Sequence, residues 1–308
     1  GVLEESGVEG EFDKDEAEVR IELLHNPIGT WDGVVGLQIN DVDFQTSAPE
    51  AGGGHGGSFY VRDNETRSYG LFVLENTETS FGHVELAARL DYVDSEPATL
   101  DAERDVDFVA PFAGELMQAA KLSDRSFTPF SVSAGAIVDI NDTHHFRVSL
   151  SRSERAPSPE QLYSFGEHHA SETVEIGDPD LDKEAYTNLE IGLDRHHGDF
   201  TYNITAFYNQ VSDYIYLETL TNGGAEVLSD EGNNFLTNEQ EDAKFYGAEF
   251  TSALQISEGN VPFKLRLSAD YVRAKLDNGG DLPRISPARV GLGFDTGRGD
   301  LAFSMDYQ

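Results

Sequence analysis

Phe263, Leu265, Leu267, Ala269 and Tyr271 alternate with Lys264, Arg266, Ser268 and Asp270. Side chains that change sides at every residue belong to a β-strand, and here the two sides demand different surroundings. Phe200, Tyr202, Ile204, Ala206 and Tyr208 alternate in the same way with Thr201, Asn203, Thr205 and Asn209. Val84, Leu86, Ala88, Leu90 and Tyr92 do so against Glu85, Arg89 and Asp91. Roughly twelve such segments can be traced, many about ten residues long, the length of a tilted strand that crosses a bilayer.

The connections sharpen this reading. Short turns at residues 26–30, 76–80, 141–143, 196–199, 257–260 and 297–299 take turns with long excursions at 47–66, 94–125, 156–183 and 219–242. A soluble sandwich also alternates, but it does not line one face of long strands with Arg, Lys and Glu. In a barrel wide enough for water those charges stay solvated in the lumen. Closure also removes edges, and every backbone N–H and C=O finds a partner. The expected fold class is all-β: a transmembrane antiparallel β-barrel with short periplasmic turns and long extracellular loops. Residues 1–18 are expected as a lead-in loop and residues 19–308 as barrel, with Val19, Ile21 and Leu23 opening the first strand. Residues 114–122 are expected to form a short helix over the mouth.

Composition closes other routes. The 308 residues include no cysteine, which excludes disulfides, thiolate metal sites and a cysteine nucleophile. No run of eighteen apolar residues exists, so a spanning helix is excluded while a barrel is not. A formal net charge of −36 excludes nucleic acid as a partner. The acidity suits a solvated surface in a salty habitat, and equally a mouth that concentrates cations. No Gly-x-Ser-x-Gly elbow is present, and no enzyme is expected. The acidic opening GVLEESG is no signal peptide, and LAFSMDYQ stops within a strand, so a fragment lacking both barrel ends is expected.

One stretch organises the rest. Phe146, Val148 and Leu150 alternate with Arg147, Ser149 and Ser151, and then the chain leaves the pattern. It passes through Arg155-Ala156-Pro157, Leu162-Tyr163, His168-His169 and Gly177-Asp178-Pro179, with Leu181 and Glu184, before a new alternating strand. These residues resemble the hallmark region of TonB-dependent outer-membrane receptors. Residues 21–38, 209–220 and 246–249 are similar to the zinc-uptake group of that family. The resemblance implies about twelve strands of a larger wall of about twenty-two around a plug, with the plug absent from this chain.

Without thiolates, zinc takes imidazole nitrogen and carboxylate oxygen. His168 and His169 are flanked by Glu167 and Glu172, and His55 sits in a glycine tract that reaches the same side. Asp178 lies on an acidic return limb with Glu175, Asp180 and Asp182. His168, His169, His55, Glu167, Glu172 and Asp178 are thus the candidate metal ligands. The same residues also suit a solvated loop, with Asp178-Pro179 as turn chemistry. His25, His144, His145, His196 and His197 fall beside short turns, and the His144-His145 and His196-His197 pairs are expected as interfacial residues. Tyrosines near strand ends, among them Tyr92, Tyr246 and Tyr271, are expected in aromatic girdles.

The resemblance implies an outer-membrane receptor for TonB-coupled uptake of a scarce nutrient, zinc or a small zinc complex first. Zinc is then cargo, and no cofactor is required. The partners implied are outer-membrane lipid and the TonB energy-transducing complex, which acts through a plug. Haem, a ferric siderophore or cobalamin is the alternative cargo, and a passive porin or adhesin is the alternative class.

Overall fold

The computed structural model describes residues 11–47, 61, 63–98, 123–168, 171–229, 232–259, 261–278 and 280–307. Its wall opens with four long strands: β1 (Glu11–Ile28), β2 (Trp31–Ser47), β3 (Asn64–Thr79) and β4 (Gly82–Pro97). A short β5 (Arg125–Phe127) precedes β6 (Phe130–Asn141) and β7 (His144–Arg155). A single helical turn follows, α1 (Pro159–Tyr163), then a small hairpin of β8 (Phe165–His168) and β9 (Thr173–Ile176). The wall resumes with β10 (Glu184–Arg195) and β11 (Phe200–Thr219). A two-stranded flap, β12 (Thr221–Asn222) with β13 (Ala225–Glu226), leads to β14 (Asn234–Ser257). The last strands are β15 (Phe263–Leu276), β16 (Arg289–Arg298) and β17 (Leu301–Tyr307).

Among the described residues twelve strands pair in the order β1-β2-β3-β4-β6-β7-β10-β11-β14-β15-β16-β17, each antiparallel to the next. The order follows the chain, as an up-and-down barrel wall requires, and the path is open between β1 and β17. The register lines the faces up. Ile191 pairs with Val148 on one side and Ala206 on the other, while its neighbour Glu190 pairs with Ser149 and Phe207. One face is thus a continuous apolar belt and the other a polar one.

The belt is not covered. Leu71 is 57% exposed, Leu150 54% and Ile191 44%. In a sandwich these rows would meet a second sheet and lose their contact with solvent. Outward-facing hydrocarbon on a single rolled sheet is the arrangement of a membrane barrel. The inner face carries charge in pairs: Arg89 with Asp91 at 2.6 Å, Arg147 with Asp194 at 2.5 Å, and Arg266 with Asp295 at 2.9 Å. It also holds Phe72, whose ring lies over Gly36 with the Arg20 guanidinium 4.7 Å from its centroid. A side chain at Gly36 would run into that ring.

Two expectations change. The first strand begins at Glu11, not Val19, so residues 11–18 of the expected lead-in loop are strand. They do not alternate in polarity because both of their faces are wet beyond the membrane, yet their ladder to β2 continues from Val19↔Ile39 to Glu11↔Ser47. Likewise β14 starts at Asn234, well before the apolar alternation that opens at Tyr246. Among the described residues the excursion after Arg155 carries a helix and a hairpin, and β9 runs parallel to β14 with Val174 opposite Phe235. Residues 114–122 lie outside the described residues.

Candidate functional site

The true interior of this chain lies at the long-loop end, and the organising stretch builds it. β7 ends at Arg155, Pro157 is buried, and Ser158 caps α1. The Ser158 hydroxyl accepts from the Gln161 N–H, and the Gln161 side chain accepts from the Ser158 N–H, so the turn satisfies its own free donors. Leu162 and Tyr163 then point inward with Leu181, Phe127 and Ile215. The Tyr163 hydroxyl donates to the Ser95 carbonyl at 2.9 Å, which ties the stretch to β4. Gly177 returns against the helix so closely that a Cβ there would lie 2.6–2.7 Å from the backbone of Leu162 and Tyr163.

Glu184 closes this lock. Its side chain is 1% exposed. One oxygen accepts from Arg155 Nε at 2.6 Å and from the Tyr186 hydroxyl at 3.0 Å. The other accepts from the Ile215 N–H at 2.8 Å. Three strands of the wall (β7, β10 and β11) therefore share one buried carboxylate. The residues of the hallmark motif are the parts of this joint.

The candidate ligands stand around it. His168 ends β8, and its Nδ1 lies 2.6 Å from the Ser171 hydroxyl. Glu172 sits in the hairpin turn at φ 53°. Asp178 uses its carboxylate to accept from the Asp180 N–H at 2.8 Å, which is the turn role. These three do not converge on a common point among the described residues. His55 and His169, and the side chain of Glu167, lie outside the described residues.

Histidines at the other end do converge. Adjacent residues of a strand face opposite ways, and the His144-His145 pair is split accordingly. His144 packs near Tyr202 of the outward belt, with ring centroids 6.1 Å apart. His145 faces the lumen with Arg147, and His196 joins it beside Asp194. The expectation that both were interfacial turn residues is corrected. Parity with Arg147 was the signal available for His145; the approach of Asp194 and His196 needed the register.

At the lip, Asp182, Asp213 and Asp242 crowd together around Gln240, which donates to the carbonyls of Asp182 and Asp213. Asp213 occupies the left-handed region at φ 55°, in a bulge outside the spanning part of β11. Partial burial first, then Asp242 and Asp182, pushes its carboxyl above the usual range. A raised carboxylate pKa means that ionisation opposes folding, so this contribution is favourable at low pH and is lost as pH rises through the carboxylate range. Asp213→Asn keeps the tolerance for left-handed backbone and removes the charge. It is expected to raise stability by ~0.5 kcal/mol at pH 7 and to converge with wild type near pH 3, as read by urea titration of the folded chain at the two pH values.

Residues 9–308 match the family described as TonB dependent receptor-like, beta-barrel. The chain belongs to that family. The receptor shares 29% identity over 183 residues with a probable hemoglobin and hemoglobin-haptoglobin-binding protein of Haemophilus influenzae, covering 56% of this chain and 18% of that protein. Among solved structures it is similar to the copper transporter OprC, with TM-score 0.73, 16% identity and coverage of 96% of this chain and 43% of that one. It is also similar to the hemophore receptor HasR of Serratia marcescens in complex with hemophore HasA and heme, with TM-score 0.66, 13% identity and coverage of 96% and 51%. At such identities the structures establish the fold alone. The receptor spans about half or less of each of these proteins. Its barrel places it in the outer membrane of a Gram-negative cell.

Proposed function

We propose that the receptor takes up a scarce metal nutrient, zinc or a small zinc complex, caught at the extracellular lip and passed inward. The observation that carries this is an imidazole, His168, held on a hairpin that the Glu184 joint and the β9–β14 ladder brace against the wall. His169, Glu167 and Glu172 are its neighbours in sequence, with His55 as a further donor. The acidity of the chain, 57 Asp and Glu against 21 Lys and Arg, supports a lip that draws cations. No covalent step is involved. Passage is gated by a plug inside the wall and driven by the TonB energy-transducing complex, as in the family, while the outward belt meets outer-membrane lipid.

Neutral imidazole is the ligating form, so zinc capture should weaken as pH falls toward about 5–6. The test is zinc retained after equilibrium dialysis of the full chain folded in detergent, at pH 5 to 8, for wild type and for His168→Ala/His169→Ala. Expected is retention at pH 7.5 that falls at least tenfold in affinity in the double variant. Affinity flat across that range, or unchanged in the variant, rules out histidine capture at the lip. A haem cargo is the second reading, favoured by the hemoglobin-binding relative. Haem that binds with a new Soret band and displaces zinc would establish it instead.

A further inference from the structure

We infer that the lumen carries a second transition-metal site at its short-turn end, formed by His145, Asp194 and His196. Asp194 Oδ2 lies 3.6 Å from Nδ1 of His145 and 3.5 Å from Nδ1 of His196. One ring nitrogen from each histidine and one Asp194 oxygen all fall within 4.8 Å of one another. Separations of 3.5–3.6 Å are long for hydrogen bonds. They are close to the ~3.3 Å between neighbouring ligands of a tetrahedral zinc with bonds of about 2.0–2.1 Å. The two gaps between Asp194 and the imidazoles therefore match the spacing of ligands on one ion.

The surroundings orient these atoms. Asp139 Oδ1 sits 3.2 Å from Nε2 of His145. A carboxylate at that ion-pair distance favours a proton on Nε2, which leaves the Nδ1 lone pair for the metal, as outer carboxylates do for metal-bound histidine. Arg147 holds the other oxygen of Asp194 at 2.5 Å, which fixes the carboxylate and leaves Oδ2 available. The rings of His145 and His196 stack with centroids 4.2 Å apart, and Nδ1 is the nitrogen of each that lies near Asp194; the lone pairs lie in the ring planes, so one ring turns about its Cβ–Cγ bond when both bind one ion. With neutral imidazoles, Asp139 and Asp194 against Arg147 leave one net negative charge, and a divalent cation reverses it. His197, whose ring centroid is 4.5 Å from that of His196, is the nearest further imidazole. Water can complete the coordination, since the group lines a recess of about 810 Å³.

The chemistry of this site stands on its own geometry. Its use as an exit station, where metal leaving the lip is held before release, rests on the metal-uptake reading. The test keeps the two apart by working in the His168→Ala/His169→Ala background, where lip capture is removed. The full chain, folded in detergent, is titrated with Co²⁺ at pH 7.5 and read by visible absorption, with Zn²⁺ displacement giving the stoichiometry. Expected is one equivalent with the spectrum of nitrogen and oxygen ligation. It should be lost in His145→Gln/His196→Gln and weakened 10–100-fold in Asp139→Asn at unchanged stoichiometry. Those side chains are part-exposed, and retained folding is checked by resistance to unfolding in cold detergent. One equivalent that survives His145→Gln/His196→Gln, or no equivalent in the parent background, overturns the site. Neither result bears on capture at the lip.

Discussion

Glu184→Ala should loosen the extracellular lip while the spanning wall stays paired. The carboxylate is buried and serves the Arg155 guanidinium, the Tyr186 hydroxyl and the Ile215 N–H. Its removal strands a buried N–H and leaves a cation without its partner, and losses of this kind reach 3–5 kcal/mol in dry sites. Arg155 is 45% exposed and regains water, so the lower end applies, about 3 kcal/mol. The wall is held by its own ladders, such as β10 with β7 and β11, and these do not use Glu184 beyond the ladder's end. Urea titration should show an early transition for the variant, and protease should cut within residues 156–183. Glu184→Gln keeps an acceptor for Ile215 but sets an amide against Arg155, so it should fall between. A variant that unfolds with wild type and resists protease equally would show that the joint is not what holds the lip.

How much of this was legible in the chain follows from the range of each signal. The wall declares itself because alternation is local: Ile191 and Glu190 reveal their faces without knowledge of any partner. The same rule fails above the membrane. Residues 11–18 and the start of β14 meet water on both sides, so polarity stops alternating although the strands continue. The helix α1 is only five residues long, too short for periodicity, and its local marks were the capping box at Ser158 and Gln161 with Pro159 and Glu160 in the first turn. The hallmark residues could be matched to a family by pattern. That Gly177 is required by backbone contact, and that Glu184 joins three strands, depends on chain segments far apart in sequence. The site divides in the same manner. Adjacent histidines could be assigned to opposite faces by counting, whereas the meeting of His145, Asp194 and His196 depends on the β7–β10 register and the turn after it.

A charge at position 191 tests the assignment of faces on which every functional statement rests. Ile191 lies on the outward belt between Val148 and Ala206. Arginine there must enter hydrocarbon or bend away from it, at a cost of about 2–4 kcal/mol near the midplane of a membrane barrel. Glu190, one residue earlier, faces the lumen opposite Ser149, and arginine there stays in water at little cost. The full chain refolded into lipid vesicles should therefore show a lower urea midpoint and refolding yield for Ile191→Arg, with Glu190→Arg close to wild type. In detergent micelles, which deform around a charge more readily than a bilayer, the gap should narrow. Equal losses for the two variants, or a larger loss for Glu190→Arg, would mean that the apolar rows pack against protein and not lipid. A protein core at that belt would leave no water-filled interior for His145 and Asp194 to face.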